Sequence, residues 1–298
     1  MEQGMLFDMV HGSFTDGPGV RTVVFFKGCP LKCLWCHNPE SIGKQSQLGF
    51  LEHKCTSCGS CVKACPSGAH AIDSDGKHIF DRSKCTLCGK CAMVCPGKVL
   101  TYYGKEAEVK EIVADVLKDK DFYVCSKNGG VTLSGGECLM QPDFCEALLK
   151  RFKEEDLHTA VDTCGFVSKA ALDKVIPYTD LFLYDLKAID SDVHKRCTGQ
   201  DNAVILENLK YIDSLGKSIE IRYPYVPGFN DGEVRKIGEL LKGLSNITRV
   251  KVLPYHNYAS TKYKSLDMVD TLPTVIPADS EIEEAKSVLW DMGLCVAD

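Results

Sequence analysis

Gly28-Cys29-Pro30-Leu31-Lys32-Cys33-Leu34-Trp35-Cys36-His37-Asn38 is the stretch on which the reading of this chain turns. Its cysteines are spaced C-x3-C-x2-C, with no fourth cysteine within fifteen residues. Thiolates at this density are usually metal ligands. A closed structural zinc site takes four ligands, and an ordinary four-iron cluster takes four cysteines. Three cysteines leave one iron open, and an open iron on a reducing cluster can bind a small molecule and pass it an electron. The alternative is a zinc loop that borrows a distant fourth cysteine. The apolar run Val23-Val24-Phe25-Phe26 leads straight into the loop, as a strand delivering it at its C-terminal end would.

Working outward, composition sets the limits. The 298 residues are 44% hydrophobic, ample for one full core and a small appended module. A net charge of −6 argues against a general nucleic-acid footprint. No apolar run approaches ~18 residues, so no membrane span is expected. The start, Met1-Glu2-Gln3-Gly4, lacks the basic and apolar regions of a signal peptide, and a cytoplasmic protein is expected. In that compartment, 17 cysteines in short-spaced groups favour metal over disulfides. Cys125, Cys138, Cys145, Cys164, Cys197 and Cys295 stand apart from these groups and read mostly as small buried hydrophobes.

Between Leu48 and Tyr103 a motif occurs twice. Cys55, Cys58, Cys61 and Cys65-Pro66 spell C-x2-C-x2-C-x3-C-P, and Cys85, Cys88, Cys91 and Cys95-Pro96 spell it again, 85 − 55 = 30 residues later. This is the bacterial two-cluster ferredoxin run, in which the fourth cysteine serves the other cluster. Cys55, Cys58, Cys61 and Cys95 are therefore expected to hold one cluster, and Cys85, Cys88, Cys91 and Cys65 the second. With the loop at Cys29 this makes three [4Fe-4S] clusters.

Before this module, Met5 to Val10 reads as an edge strand, and Asp16-Gly17-Pro18-Gly19 as a turn. After it, helical and strand periodicities alternate. Strands are expected at Gly130–Leu133, His158–Asp162, Leu181–Asp185, Ile219–Val226 and Arg249–Leu253. Helices are expected at Val109–Leu117, from Pro142, and at Ser168–Val175, Val204–Leu215, Glu233–Leu244 and Glu281–Met292. Strands separated by helices imply parallel pairing. With the first strand they make six βα units. The expected organisation is a core in two parts, 1–47 and 105–298, interrupted by a module at 48–104.

The cluster loop, with Trp35 before its third cysteine, resembles the radical S-adenosylmethionine (SAM) signature C-x3-C-x-aromatic-C. Cys36-His37-Asn38-Pro39-Glu40 and Asp16-Gly17-Pro18-Gly19-Val20-Arg21 narrow the resemblance to the glycyl radical enzyme activating enzymes, relatives of the pyruvate formate-lyase activating enzyme. The resemblance implies an α/β fold: a partial (β/α)6 barrel of the radical SAM type with an inserted small ferredoxin-like α+β module. That module is absent from the pyruvate formate-lyase activator and occurs in activators of glycyl radical dehydratases, decarboxylases and carbon–nitrogen lyases. Roles follow by position. Cys29, Cys33 and Cys36 would hold the open cluster, with Trp35 and His37 beside the cofactor. Ser134-Gly135-Gly136-Glu137 would grip the methionine amino end of S-adenosylmethionine, with Cys138 where proline or a small residue is usual. Asp162 and Asp185 would hold a monovalent cation near the cofactor carboxylate, and Lys187 would touch the cofactor. Arg222, expected at the end of the fifth strand, would clamp a carboxylate. His256 would lie at the ribose and sulfonium side. Asp16 would lie near the backbone of the partner's glycine loop, facing the opening.

The implied reaction is reductive cleavage of S-adenosylmethionine to methionine and a 5′-deoxyadenosyl radical, which takes a hydrogen from a backbone glycine of a partner enzyme. Partners would be that glycyl radical enzyme and an external electron donor such as flavodoxin or ferredoxin; the chain alone is expected to be a monomer. Two rivals remain open. A ferredoxin-type electron carrier explains the eight repeated cysteines but not the loop at Cys29. A radical enzyme acting on a small molecule leaves the Asp16–Arg21 segment without a use.

Overall fold

The computed structural model describes residues 2–297. The chain opens with β1 (Gln3–Ser13), which turns back antiparallel as β2 (Arg21–Phe26). The turn needs its glycines. Gly19 has φ +68°, and a Cβ there would lie 2.6 Å from the backbone nitrogen of Gly129. Residues 47–103 then build β3 (Gln47–Phe50), α1 (Ser60–Ala64), β4 (His70–Ile72), β5 (His78–Phe80), α2 (Lys90–Val94) and β6 (Leu100–Tyr103). β3 pairs with β6 and β4 with β5, both antiparallel, apart from the main sheet.

From β7 (Lys105–Glu108) the chain returns to the main sheet. It continues through α3 (Val109–Val116), α4 (Lys120–Cys125), β8 (Gly130–Gly135), α5 (Pro142–Glu154), β9 (His158–Thr163) and α6 (Lys169–Val175). It ends with β10 (Leu181–Asp185), α7 (Ser191–Thr198), α8 (Ala203–Ser214), β11 (Ser218–Tyr225), α9 (Val234–Leu241), β12 (Ile247–Pro254), α10 (Ser260–Ser265) and α11 (Asp279–Asp291). Among the described residues no helix is long and apolar enough to cross a membrane.

The eight-stranded sheet has the order β12-β11-β10-β9-β8-β2-β1-β7. β2 and β8 to β12 form six parallel strands in chain order, as the alternating periodicities imply. One expectation is corrected. β1 is not an edge, because β7 pairs along its outer side. The Lys-Glu-Ala-Glu sequence of β7 carries charge suited to an exposed edge, and its polarity hid it from a search for apolar runs.

Residues alternate across the sheet, and the alternation separates stability from chemistry. Val131, Leu133, Val161, Phe182, Tyr184, Ile219, Ile221 and Tyr223 join the main core beneath the helices. Their neighbours Thr132, Ser134, Asp162, Asp185, Glu220 and Arg222 share the opposite face, where the small apolar cluster is Ala160, Leu181 and Leu183. Polar side chains are costly to bury without partners, so this second face is where a site is to be sought.

Candidate active site

The loop after β2 carries Cys29, Cys33 and Cys36 to a cleft of ≈ 200 Å³, whose lining also includes Trp35, His37, Gly135, Gly136, Cys164, Asp185 and Lys187. The loop is held by backbone. Gly28 N–H donates to Ser41 O (2.7 Å), Lys32 N–H to Thr198 O (2.8 Å) and Leu34 N–H to Cys197 O (3.0 Å). Two of these anchors sit at the C-terminal end of α7. The turn after β8 locks on as well: Gly136 N–H donates to Phe26 O and Glu137 N–H to Gly28 O, each at 2.9 Å. A Cβ on Gly136 would lie 2.5 Å from Gly28 O. The glycines thus permit a close approach of turn to cluster loop, and both still border the cleft.

Electrostatics fit a metal centre. Burial pushes the Cys36 thiol up to about 12 and raises Cys29 and Cys33 as well. Thiols that resist ionisation become ligands when a cationic metal centre stabilises the thiolate, and loading releases their protons. Burial alone would lower the pKa of Lys187. Asp185, with its carboxylate 2.7 Å from the ammonium, and the Cys33 and Cys164 thiols outweigh that effect and hold it well above its ordinary value. A retained cation therefore faces the cysteine cleft.

Residues 23–241 match the Radical SAM superfamily. Over 95% of its length the chain is 42% identical to the trans-4-hydroxy-L-proline dehydratase activating enzyme of Clostridioides difficile, covering 94% of that protein. It is 39% identical to the choline trimethylamine-lyase activating enzyme of Oleidesulfovibrio alaskensis, over 99% of this chain and 98% of that one. The chain belongs to the glycyl radical enzyme activating enzymes of the radical SAM superfamily. In fold it also resembles Streptococcus suis SuiB bound to precursor peptide SuiA, with TM-score 0.56 at 14% identity, covering 95% of this chain and 49% of that one.

Several expected roles change within this activating-enzyme fold. Glu137 is fully buried, and its carboxylate accepts from Leu139 N (3.0 Å), Thr163 Oγ1 (2.9 Å) and Cys164 N (2.8 Å). It braces β8 against β9, and its side chain is not part of the cleft lining. Arg222 does not end its strand, since β11 runs on to Tyr225. Its guanidinium gives Nη2 to Thr15 O (2.6 Å) and Nη1 to Asp162 (3.3 Å), with Asp16 at 3.7 Å, while its buried Nε has no hydrogen-bond partner. The carboxylates it meets in this structure are the chain's own. Asp162 also accepts from Ser134 Oγ (2.6 Å). Asp16 is half-buried. Its backbone carbonyl accepts from Thr132 Oγ1 (2.6 Å), and its side chain from Ser13 Oγ (2.5 Å), so the turn lies across the inner face from β8 to β11. His256 stacks on His37 with centroids 3.9 Å apart, and its backbone carbonyl lies 2.6 Å from His37 Nε2. His256 Nδ1 is buried without a partner, as a group awaiting a polar ligand would be.

Two features escaped the sequence. Lys262 in α10 reaches His37 O (3.0 Å), Asn38 Oδ1 (3.1 Å) and Glu40 Oε1 (2.6 Å), and so clamps the exit of the cluster loop. Cys164 borders the cleft, although it reads as a scattered structural cysteine. Neither carries a motif, and Lys262 lies more than two hundred residues from its targets.

The cysteine-rich segment keeps its repeat in the backbone. Left-handed φ values recur 30 residues apart, at Ser57 and Leu87, Gly59 and Gly89, and Gly68 and Lys98. One small cavity is lined by Cys55, Cys58, Cys61 and Cys95 together, the crossed grouping expected from the motif. Burial pushes the Cys91 thiol up to about 11, and its neighbours Cys85 and Cys65 raise it further. The segment is tied to the core by Arg82, which donates to Ser265 O (2.5 Å), and by Lys27, which donates to Gln47 Oε1 of β3 (2.8 Å).

Proposed function

We propose that Cys29, Cys33 and Cys36 hold a four-iron cluster with one open iron, beside which S-adenosylmethionine binds in the adjoining cleft. The supporting observation is the meeting of three half-buried cysteines, the Gly135-Gly136 turn and the Lys187 ammonium in one cleft. When bound and reduced, the cluster supplies one electron to S-adenosylmethionine, yielding methionine and the 5′-deoxyadenosyl radical that takes hydrogen from a backbone glycine of the partner. The chain's own residues orient and shield. Gly135 and Gly136 present backbone to the methionine end, Lys187 offers a cation, and the orphaned Nδ1 of His256 offers a polar contact. Trp35 packs with Cys197, Val226 and Tyr255 and closes the wall behind the loop. A monovalent cation beside Asp162 and Asp185 is left out of the proposal, because each carboxylate already meets a cationic side chain, Arg222 at 3.3 Å and Lys187 at 2.7 Å. Adding S-adenosylmethionine and dithionite to the reconstituted protein tests the reading: 5′-deoxyadenosine should appear, and a ferredoxin-type carrier would yield none.

The partner is a glycyl radical enzyme of the kind activated by relatives that span the whole chain, among them those of a dehydratase and a carbon–nitrogen lyase. The 48–104 segment would hold two further clusters, fed by an external donor such as flavodoxin or ferredoxin, in a chain that is monomeric alone. Reconstitution should then reach roughly twelve irons per chain. Saturation at roughly eight with all three loop cysteines intact would remove the open cluster.

Asp16 lies on the inner face beyond Arg222 and does not border the cysteine cleft. Asp16→Ala should therefore leave cofactor cleavage without partner nearly intact and cut the glycyl radical yield on the partner severalfold. Electron paramagnetic resonance (EPR) spin counting beside 5′-deoxyadenosine assay reads both. Equal loss of the two activities would place Asp16 in cofactor binding or in the fold.

A further inference from the structure

The two cysteine runs share their backbone and differ in one group. Each first cysteine has the same amide near its sulfur: Ser57 N–H on Cys55 Sγ (3.5 Å) and Leu87 N–H on Cys85 Sγ (3.4 Å). Among the described residues only the first run meets an imidazole. His78, buried on β5, places Nδ1 3.4 Å from Cys55 Sγ and Nε2 3.4 Å from Cys61 Sγ. Behind it His70, on the paired strand β4, places its Nδ1 3.0 Å from His78 Nε2. Phe50 packs edge-on against His78, and Phe80 stacks on His70, so both rings are fixed. Thirty residues on, the positions matching His70 and His78 are Leu100 and Glu108.

A neutral imidazole has one proton, so only one of the two thiolates can receive it. The tautomer of His70 decides which: with the proton on His70 Nδ1, that N–H donates to His78 Nε2 and leaves the His78 proton on Nδ1, facing Cys55. An N–H donated to a thiolate stabilises negative charge, and the reduced cluster is the more negative state. Such a bond therefore raises the reduction potential.

We infer that His78, oriented by His70, donates a hydrogen bond to the Cys55 ligand of the first cluster of the segment and makes that cluster easier to reduce than its twin. The inference rests on the two-cluster reading of the segment. It gives the segment a direction, with two clusters of one ligand pattern at two potentials. A cleft of ≈ 990 Å³ between this segment and α10 is lined by both His78 and Cys55, so the distinguished cluster is the one that borders it.

The test is an EPR-monitored redox titration of the anaerobically reconstituted full chain, with iron content measured alongside. His78→Phe keeps an aromatic ring beside Phe50 and removes the donor. It should retain roughly twelve irons and move one potential to more negative values, leaving the other two in place. His78→Asn, with an amide N–H at similar reach, should restore most of the shift. His70→Leu should move the same potential in the same direction by less. Unmoved potentials in a fully loaded His78→Phe protein overturn the inference alone. A loss of roughly four irons in His78→Phe makes His78 a ligand or a scaffold and also overturns it. So does wild-type protein that carries zinc on Cys61, His70 and His78, whose ligand atoms lie within 4.8 Å of one another. Wild-type protein saturating at roughly four irons removes the segment's clusters, and the two-cluster reading falls first.

Discussion

Replacing Cys29, Cys33 or Cys36 by alanine is expected to abolish S-adenosylmethionine cleavage while roughly eight of roughly twelve irons stay bound. The expectation follows from how the site is assembled. All three sulfurs border one cleft, and two cysteines cannot hold a cluster that already lacks a fourth. The loop itself should survive, because its anchors are backbone groups. Lys32 and Leu34 donate to the end of α7, Gly28 donates to Ser41, and Lys262 grips carbonyl and side-chain oxygens at the exit. The loss should therefore appear as missing 5′-deoxyadenosine and a missing EPR signal that responds to S-adenosylmethionine, with thermal unfolding little changed. A variant that still cleaves the cofactor at the wild-type rate would show that these cysteines do not carry the chemistry.

Cys65→Ala is expected to remove the cluster built by Cys85, Cys88 and Cys91, with loss of roughly four irons, although Cys65 follows Cys61 in the chain. The grouping of Cys95 with Cys55, Cys58 and Cys61 around one cavity leaves Cys65 to the other run, where its thiol neighbours Cys91. Double variants make the test sharp. Adding Cys85→Ala to Cys65→Ala should cost no further iron, whereas adding Cys55→Ala should cost a second cluster. The opposite pattern would mean that each run is self-contained. If the segment relays electrons, turnover of Cys65→Ala with a protein donor should fall further than turnover with dithionite, a small reductant that can reach the Cys29 cluster directly. Equal falls with cofactor binding intact would remove the relay, and unchanged rates would make the segment a scaffold or a docking surface.

Consecutive residues determined the parts whose physics is local. Short apolar runs set between helical stretches marked β8 to β12, and the spacing of Cys29, Cys33 and Cys36 marked an incomplete cluster site. The 30-residue repeat marked a doubled module, and the left-handed backbone positions repeat with it because turn geometry is set within a few residues. Packing between distant segments decided the rest. The apolar pattern of β1 shows that it is a strand, but only the charged β7 lying alongside makes it an inner one. Arg222 reads as a clamp in its own strand, and only the tertiary fold brings Thr15, Asp16 and Asp162 to it from distant segments. Lys262 and the end of α7 hold the cluster loop from positions without a motif, because a backbone carbonyl accepts a hydrogen bond whatever side chain it carries. His78 and His70 acquire their arrangement only through the pairing of β4 with β5, which sets His70 behind the imidazole that meets Cys55 and Cys61.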